Sequence, residues 1–310
     1  MTPIAPGQEA AAAFNPLRQS LARIAYRMLG SVADAEDVVQ DAFLRWLDVD
    51  RDAVRNPAAF LRQIVTRLAM DRLRALQRSR TDYVGQWLPE PTLASAPEDD
   101  TDVTLPLLIA LERLSPLERA AFLLHDVFCI GFDEVAAAIG RDPVACRQLA
   151  SRARDHVRAD RPRYPVQPAR GLEIAEAFYS ASRDGDTDRL RTLLAADVML
   201  FADGGGKVPA RREPAIGVRE VIRLFAAFAK VYASHRSRLL RIGFVSGLPG
   251  FVTVERGVTV QATALEISGG MVAAIYIVRN PEKLGHLADI VAQPGRDPGG
   301  KSSTATYRSN

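Results

Sequence analysis

The chain is poor in the residues that metal and redox chemistry need. It carries two cysteines, Cys129 and Cys146, and four histidines in 310 residues. None of them falls at a metal-ligand spacing, so neither a zinc site nor a disulfide scaffold is expected. Both cysteines sit in helix-like sequence, which fits a reduced, cytoplasmic protein. No apolar run approaches the roughly 18 residues that cross a bilayer. The N-terminus lacks the basic start and long apolar core of a secretory signal. The expectation is therefore no cofactor, no metal and no membrane partner. Lysine is scarce too. Only Lys207, Lys230, Lys283 and Lys301 stand among 40 basic residues. The others are arginines, whose planar forks suit phosphates and base edges.

What is there falls into blocks. Residues 14–80 read as helices. Residues 81–104 are rich in proline and acid, which reads as a linker. Residues 105–160 are helical again, and "RPRYPVQPAR" (161–170) is a second linker. From 171 to 292 helices give way to valine, isoleucine and threonine runs separated by glycine turns, an α+β pattern. Residues 293–310 are expected to be a disordered tail.

The first block segregates charge. "DAEDVVQDAFLRWL" places Val39, Phe43, Trp46 and Leu47 at helical spacing, a predicted buried stripe. Asp37, Gln40, Asp41 and Leu44 share another face. "NPAAFLRQIVTRLAMDRLRALQRSR" starts a helix at Asn56-Pro57. Phe60, Leu61, Ile64, Leu68 and Leu76 form its predicted apolar stripe. Its six arginines (Arg62, Arg67, Arg72, Arg74, Arg78 and Arg80) are a plausible track for a phosphate backbone. A solvated acidic face and a basic helix beside an acidic partner explain the same residues.

In the second block, Ser115-Pro116 with Glu118 reads as a helix cap. "GFDEVAAAIG" is a short helix closed by Gly140. After "RDP" comes "VACRQLASRARDHV", with Val144, Leu149 and Val157 predicted to face inward. That is the pattern of a helix-turn-helix, whose second helix enters the major groove. Arg147, Gln148, Ser151, Arg152 and Arg154 are the polar groups able to reach bases there. A plain helical hairpin with solvated arginines is the competing reading.

The acidic helix, the basic helix and "LSPLERAAFLL…FDEVAAAIG" together resemble the sigma-70 initiation factors of the extracytoplasmic-function (ECF) group. The resemblance implies two partners, core RNA polymerase and promoter DNA. It implies that Asp37, Gln40 and Asp41 dock on a polymerase coiled coil. Asn56, Phe60, Arg67, Asp71, Arg72 and Arg74 would lie near the minus-ten strand, where one base is flipped from the stack. The helix-turn-helix residues would read the minus-thirty-five element. Phe60 stands where many relatives have tryptophan, and Leu68 where many have asparagine.

Three short motifs remain. "DGGGKV" (203–208) looks like a phosphate cradle, but a P-loop needs a hydroxyl residue after the lysine and a helix directly behind it. Here Val208 and Pro209 follow. A tight turn or bulge, or a flexible joint, is the local alternative. "WLPEP" (87–91) puts a large aromatic in a polar linker, where it wants a surface to pack on. "NPEKL" (280–284) follows the last apolar run. Together they resemble ECF sigma factors with a fused C-terminal SnoaL-like domain. The implied architecture is two all-α sigma domains, the second a helix-turn-helix, followed by an α+β SnoaL-like cone. The candidate regulatory contacts are Trp87, Leu88, Pro89, Asp203, Gly204, Gly205, Gly206, Lys207, Asn280, Pro281 and Lys283. An unknown small molecule in the cone is a possible further partner. A ligand-sensing DNA-binding regulator independent of polymerase stays open as an alternative. So does an enzyme tethered to DNA, with Asp203, Tyr232, His235 and Tyr276 as its acid–base candidates.

Overall fold

The computed structural model of the chain describes residues 6–79, 83–94, 104–158, 166–234 and 237–287. The tail from 293 to 310, Arg80, His235, the first half of the 161–170 linker and the side chain of Tyr232 lie outside them.

Three helices open the chain: α1 (Pro6–Leu29), α2 (Val32–Leu47) and α3 (Pro57–Ser79). The first starts eight residues earlier than Phe14, because its N-terminal turns carry Ala10 under Trp46. The indole Nε1 donates to the Ala10 carbonyl at 3.1 Å. Gly30 ends α1 at φ +69°, the left-handed geometry of a helix stop. Ser31 then caps α2. The predicted stripe of α2 needs one correction: Leu47 is exposed, and Val38, Val39, Ala42 and Trp46 are the buried positions. That of α3 is displaced as well. Leu61, Val65, Ala69 and Leu73 are fully buried, whereas Phe60, Ile64, Leu68 and Leu76 are only partly covered. The wider apolar face arises because α3 packs on two neighbours.

The second neighbour is the next helical block. It comprises α4 (Leu105–Leu111), α5 (Pro116–Phe122), a π-helical turn (Leu123–Val127), α6 (Phe132–Ile139) and α7 (Pro143–Arg158). Ser115 and Glu118 form a reciprocal capping box at α5, and Gly140 ends α6 at φ +67°. Cys129 is not helical. It sits at φ +55° after the π turn. Val144 does not face inward either. It is exposed in the first turn of α7, and the inner stripe is Cys146, Ala150, Ala153 and Val157. These residues at i, i+4, i+7 and i+11 let α7 pack closely.

Both helical blocks share one continuous core. Arg119 pins them together from within. Its guanidinium donates to the Met28 carbonyl at the end of α1 (2.7 Å) and to the Leu111 carbonyl (2.9 Å from Nε), and pairs with Glu112. Burial pulls its pKa down to about 9, so it stays charged at neutral pH.

The C-terminal domain wraps three helices, α8 (Pro168–Asp184), α9 (Thr187–Leu193) and α10 (Val218–Ser234), into a curved sheet. Its strands are β2 (Leu194–Asp203), β3 (Ala215–Ile216), β4 (Arg238–Val245), β5 (Leu248–Glu255), β6 (Thr259–Ser268) and β7 (Met271–Val278). A seventh strand, β1 (Leu93–Ala94), comes from the linker and gives the order β1-β4-β5-β6-β7-β2-β3. The β2–β7 pair is parallel and the others are antiparallel. The helices fill the inside of the cone, around Phe178, Leu200, Phe225 and Ile275. The outer face is covered as well: Leu88 of the linker, Leu105 of α4, Leu284 and Leu287 pack over Val252, Ala264 and Tyr276.

Candidate promoter-binding surfaces and the linker junction

The acidic face of α2 is open. Asp37, Gln40, Asp41 and Leu44 are all exposed, Leu44 by 51%.

The first turns of the basic face of α3 are bonded to α6, while Arg67, Arg72, Arg74 and Arg78 stay exposed. Arg62 Nε meets Glu134 of α6 at 2.6 Å. Gln63 Nε2 donates to the Ala137 carbonyl at 3.0 Å. Arg67 donates to the Ala137 and Ala138 carbonyls, at 3.0 and 3.2 Å. These are end carbonyls of α6, where a cation offsets the helix dipole. Asn56 and Phe60 line a shallow depression at the start of α3, and Glu134 and Ala137 form its far wall. Further along, Arg72 pairs with Asp34 and Arg74 with Asp71 at 2.6 Å. The candidate minus-ten residues thus share one helix and its entry loop, but internal hydrogen-bond partners occupy five of the six: Asn56, Arg67, Asp71, Arg72 and Arg74.

On α7, Arg147, Gln148, Ser151 and Arg152 form an exposed row. Arg147 also lies over the Phe132 ring at 5.5 Å. Arg154 departs from the row: it is partly covered and holds Asp126 at 2.7 Å.

The three short motifs converge in space. Asp203 is fully buried, and its carboxylate takes four hydrogen bonds. One oxygen accepts from the Tyr83 hydroxyl (2.6 Å) and the Gly205 amide (3.0 Å). The other accepts from the Leu88 amide (2.9 Å) and from Lys283 Nζ (2.7 Å). Lys283 also donates to the Leu88 carbonyl at 2.6 Å and sits 4.3 Å over the Trp87 ring. Asn280 Nδ2 donates to Tyr83 at 3.0 Å and its Oδ1 caps the Pro281–Lys283 turn. Burial, then the Asp203 bond and charge, pushes the Tyr83 pKa well above its ordinary value, so the phenol keeps its proton. Pro281 itself is exposed.

The glycines are part of this knot, which is not a flexible joint. A Cβ on Gly204 would lie 2.3 Å from the Val208 carbonyl oxygen. One on Gly205 would lie 2.3 Å from Asn280 Nδ2. Gly205 and Gly206 also have φ of +60° and +72°. The tract is there for close approach. Lys207 takes no part in the contact with the linker. It is half exposed and pairs with Glu282.

The linker also fastens to the helical block. Trp87 lies against Gly30, and the Glu90 amide donates to the Gly30 carbonyl at 2.8 Å. Tyr26 donates to the Glu90 carbonyl at 2.8 Å. The Glu90 carboxylate accepts from the Val32 amide at the start of α2 (2.5 Å) and faces His286 Nδ1 at 3.1 Å. The other nitrogen of His286 meets the Pro91 carbonyl at 2.7 Å. Both of its partners are acceptors, so both ring nitrogens must carry protons. Burial lowers the His286 pKa, but the bonds to Glu90 and Pro91 outweigh it and the net shift is upward. The next residues extend the sheet: Leu93 and Ala94 pair with Val245 and Phe244, and the Leu105 amide donates to the Ser246 carbonyl at 2.9 Å.

Of the four acid–base candidates, Asp203 is saturated in the knot. Tyr276 lies on the outer face of the sheet, bonded to Glu266 at 2.8 Å. Neither lines the cavity of the cone. Sequence reasoning missed Tyr83, Glu90 and His286. The one available signal was their position within or beside "WLPEP" and "NPEKL".

Comparison with known proteins agrees with this layout. Residues 13–79 match the model of sigma-70 region 2, and residues 105–157 match that of sigma-70 region 4. The ECF RNA polymerase sigma factor SigJ of Mycobacterium tuberculosis is 36% identical over 287 residues, 87% of this chain and 91% of its own length. The probable ECF RNA polymerase sigma factor SigI of the same species is 31% identical over 88% of this chain and 94% of its own. The crystal structure of M. tuberculosis SigJ superposes with a TM-score of 0.70 at 32% identity, covering 89% of this chain and 98% of that one. Two helical sigma domains followed by a SnoaL-like cone, with relatives of this similarity along nearly the whole length, place the chain in the ECF group of sigma-70 factors, which bind core RNA polymerase and direct it to promoter DNA.

Proposed function

We propose that the cone domain regulates this sigma factor in cis by holding the linker, so that the two promoter-reading surfaces stay together until it lets go. The polymerase docks on Asp37, Gln40 and Asp41, with Leu44 as the apolar centre of the patch. Asn56, Phe60, Arg67, Asp71, Arg72 and Arg74 serve the minus-ten strand, and the depression at Asn56 and Phe60 is the pocket for a flipped base. Arg147, Gln148, Ser151, Arg152 and Arg154 read the minus-thirty-five element.

Geometry supports the regulatory part. The two elements lie roughly 25 base pairs apart, about 85 Å of duplex at ~3.4 Å per base pair. In the closed chain α3 touches α6 directly, so both surfaces cannot reach their elements at once. From Ser79 to Leu105 the chain has 25 intervening residues, 80 to 104. Extended, they reach about 80–90 Å at ~3.3–3.6 Å per residue. Released, the linker is long enough. Docked, it is not.

The observation that carries this reading is the linker's incorporation into the C-terminal sheet as β1, next to a buried carboxylate that accepts the Leu88 amide. A reversible lock tests it. Leu93 and Val245 are directly opposite, flanked by the bonded Thr92–Ser246 pair, so they form a close, non-hydrogen-bonded pair suited to a disulfide. In a Cys129→Ser background, Leu93→Cys with Val245→Cys should initiate promoter-specific transcription with core polymerase only when reduced. Equal initiation by the oxidised chain would refute the proposal.

A further inference from the structure

The inside of the cone holds a cavity of about 380 Å³, within the range that encloses small ligands. Phe178, Phe225, Phe228 and Phe251 line it. They contact one another edge-on or tilted, with centroids 5.2 to 6.4 Å apart. This body is aromatic. The charged groups around it are unbalanced: Arg183, Arg211, Arg256 and Arg279 against the single acid Glu255.

Glu255 is already committed. It accepts two bonds from Arg183, at 2.6 and 3.0 Å, and others from Thr253 and Ser237. Arg211 is paired with Glu220 at 2.9 Å. Arg279 differs. One of its terminal nitrogens donates to the Pro209 carbonyl at 2.8 Å. Its Nε, like that of Arg183, is buried without a hydrogen-bond acceptor, but unlike Arg183, which holds Glu255, it pairs with no carboxylate among the described residues. A guanidinium at the wall of an aromatic cavity, with no carboxylate partner among the described residues, is matched by a ligand carboxylate, which Arg binds through its planar edge.

The same wall touches the knot. Arg279 precedes Asn280, and its amide donates to the Asp203 carbonyl at 2.7 Å. Ala202, which precedes Asp203, lines the cavity, as do Pro209 and Arg211. The Arg211 carbonyl accepts from Gln86 of the linker at 3.1 Å. An occupant would therefore press on the residues next to each strand of the junction.

We propose that the cone binds an aromatic carboxylate of about two rings, its carboxylate on Arg279 and its rings among the four phenylalanines, and that occupancy is transmitted to the linker. The transmission rests on the cis-regulatory reading above. The binding does not.

Calorimetry on the full chain tests both parts, with 2-naphthoate and its uncharged counterpart 2-naphthalenemethanol as probes. We expect one naphthoate site per chain and at least tenfold weaker binding of the alcohol. Arg279→Gln should reduce naphthoate affinity to that of the alcohol and leave the alcohol unchanged. Leu224→Trp, which fills the cavity from α10, should abolish both, with the thermal unfolding of each variant recorded as a check on folding. Absence of naphthoate binding, equal affinity for the alcohol, or binding that survives Leu224→Trp would overturn the site. The rate at which dithiothreitol reduces the locked Leu93→Cys, Val245→Cys chain then reads transmission. A rate that changes with naphthoate in the wild-type pocket but not with Leu224→Trp supports it, and an unchanged rate refutes it. If naphthoate fails to bind while the lock still controls transcription, the site falls and the cis-regulatory reading stands.

Discussion

Helices α2 and α3 lie side by side in one domain, yet they present opposite situations to the outside. The acidic face of α2 is bare, with Asp37, Gln40, Asp41 and Leu44 exposed. The basic face of α3 has Arg62, Gln63 and Arg67 bonded to α6. On the proposed reading, the polymerase-docking face is open in the docked chain while the start of the basic face is held by α6. Control would then act at the promoter step, with the linker junction setting when α3 is freed.

The largest expected effect breaks the junction. Lys283→Met leaves the buried Asp203 carboxylate without its cation and should cost about 3–5 kcal/mol, read as a lower first transition in urea unfolding. The same variant should raise initiation at limiting promoter DNA. Lys207→Met removes only the half-exposed pair with Glu282 and should stay within about 0.5 kcal/mol of wild type. The two lysines together separate a junction residue from a bystander.

Next comes the open face. Asp41→Arg with Leu44→Asp should weaken binding to core polymerase by tenfold or more, as loss of a central apolar contact and its rim charge does. Thermal stability should hardly change, since both residues are solvated. A matching loss of stability would move them from the docking surface into the fold.

The covered face should respond less. Glu134→Gln removes a pair whose partners are 25% and 32% exposed, worth about 0.5–1 kcal/mol. It should tighten binding of a single-stranded minus-ten oligonucleotide by a few-fold without altering polymerase affinity. Fluorescence anisotropy of the labelled strand gives the comparison.

The smallest effect is on pH. The raised pKa of His286 means that its contribution is complete below the ordinary histidine value near 6.5 and is lost as pH climbs through the raised value. Glu90 runs the other way. Burial raises it, but His286, the Val32 amide and Ser31 outweigh that, so its contribution fails only in acid, as pH falls through the lowered value. The junction should be firmest in mildly acidic solution, and His286→Gln should flatten the alkaline limb of melting temperature against pH.

Much of this was legible in the sequence because it is local. Ser115 with Glu118 and Gly140 mark helix ends through their own backbones, and the helix-turn-helix follows from them. The glycine tract was legible as a turn and its lysine as no P-loop lysine. The rest depends on partners far along the chain. A two-residue strand at Leu93–Ala94 has no periodicity to detect; it exists because the edge of β4 lies beside it. Leu47 and Val144 have the spacing of core residues but stand where no neighbouring helix covers them. Lys207 and Lys283 are equally prominent in their motifs, and only the fold brings Lys283 to Asp203. Arg67 looked free for DNA because nothing local reveals that the carbonyls of α6 would claim it.

If the docked linker keeps the two promoter-reading helices together, promoter binding must part them. Energy transfer between dyes on α3 and α7, at the exposed positions Ala75→Cys and His156→Cys in a Cys129→Ser chain, measures that separation directly. Transfer should be high in the free chain and near zero in the polymerase–promoter complex. Low transfer in the free chain, or transfer that stays high in the complex, would contradict it.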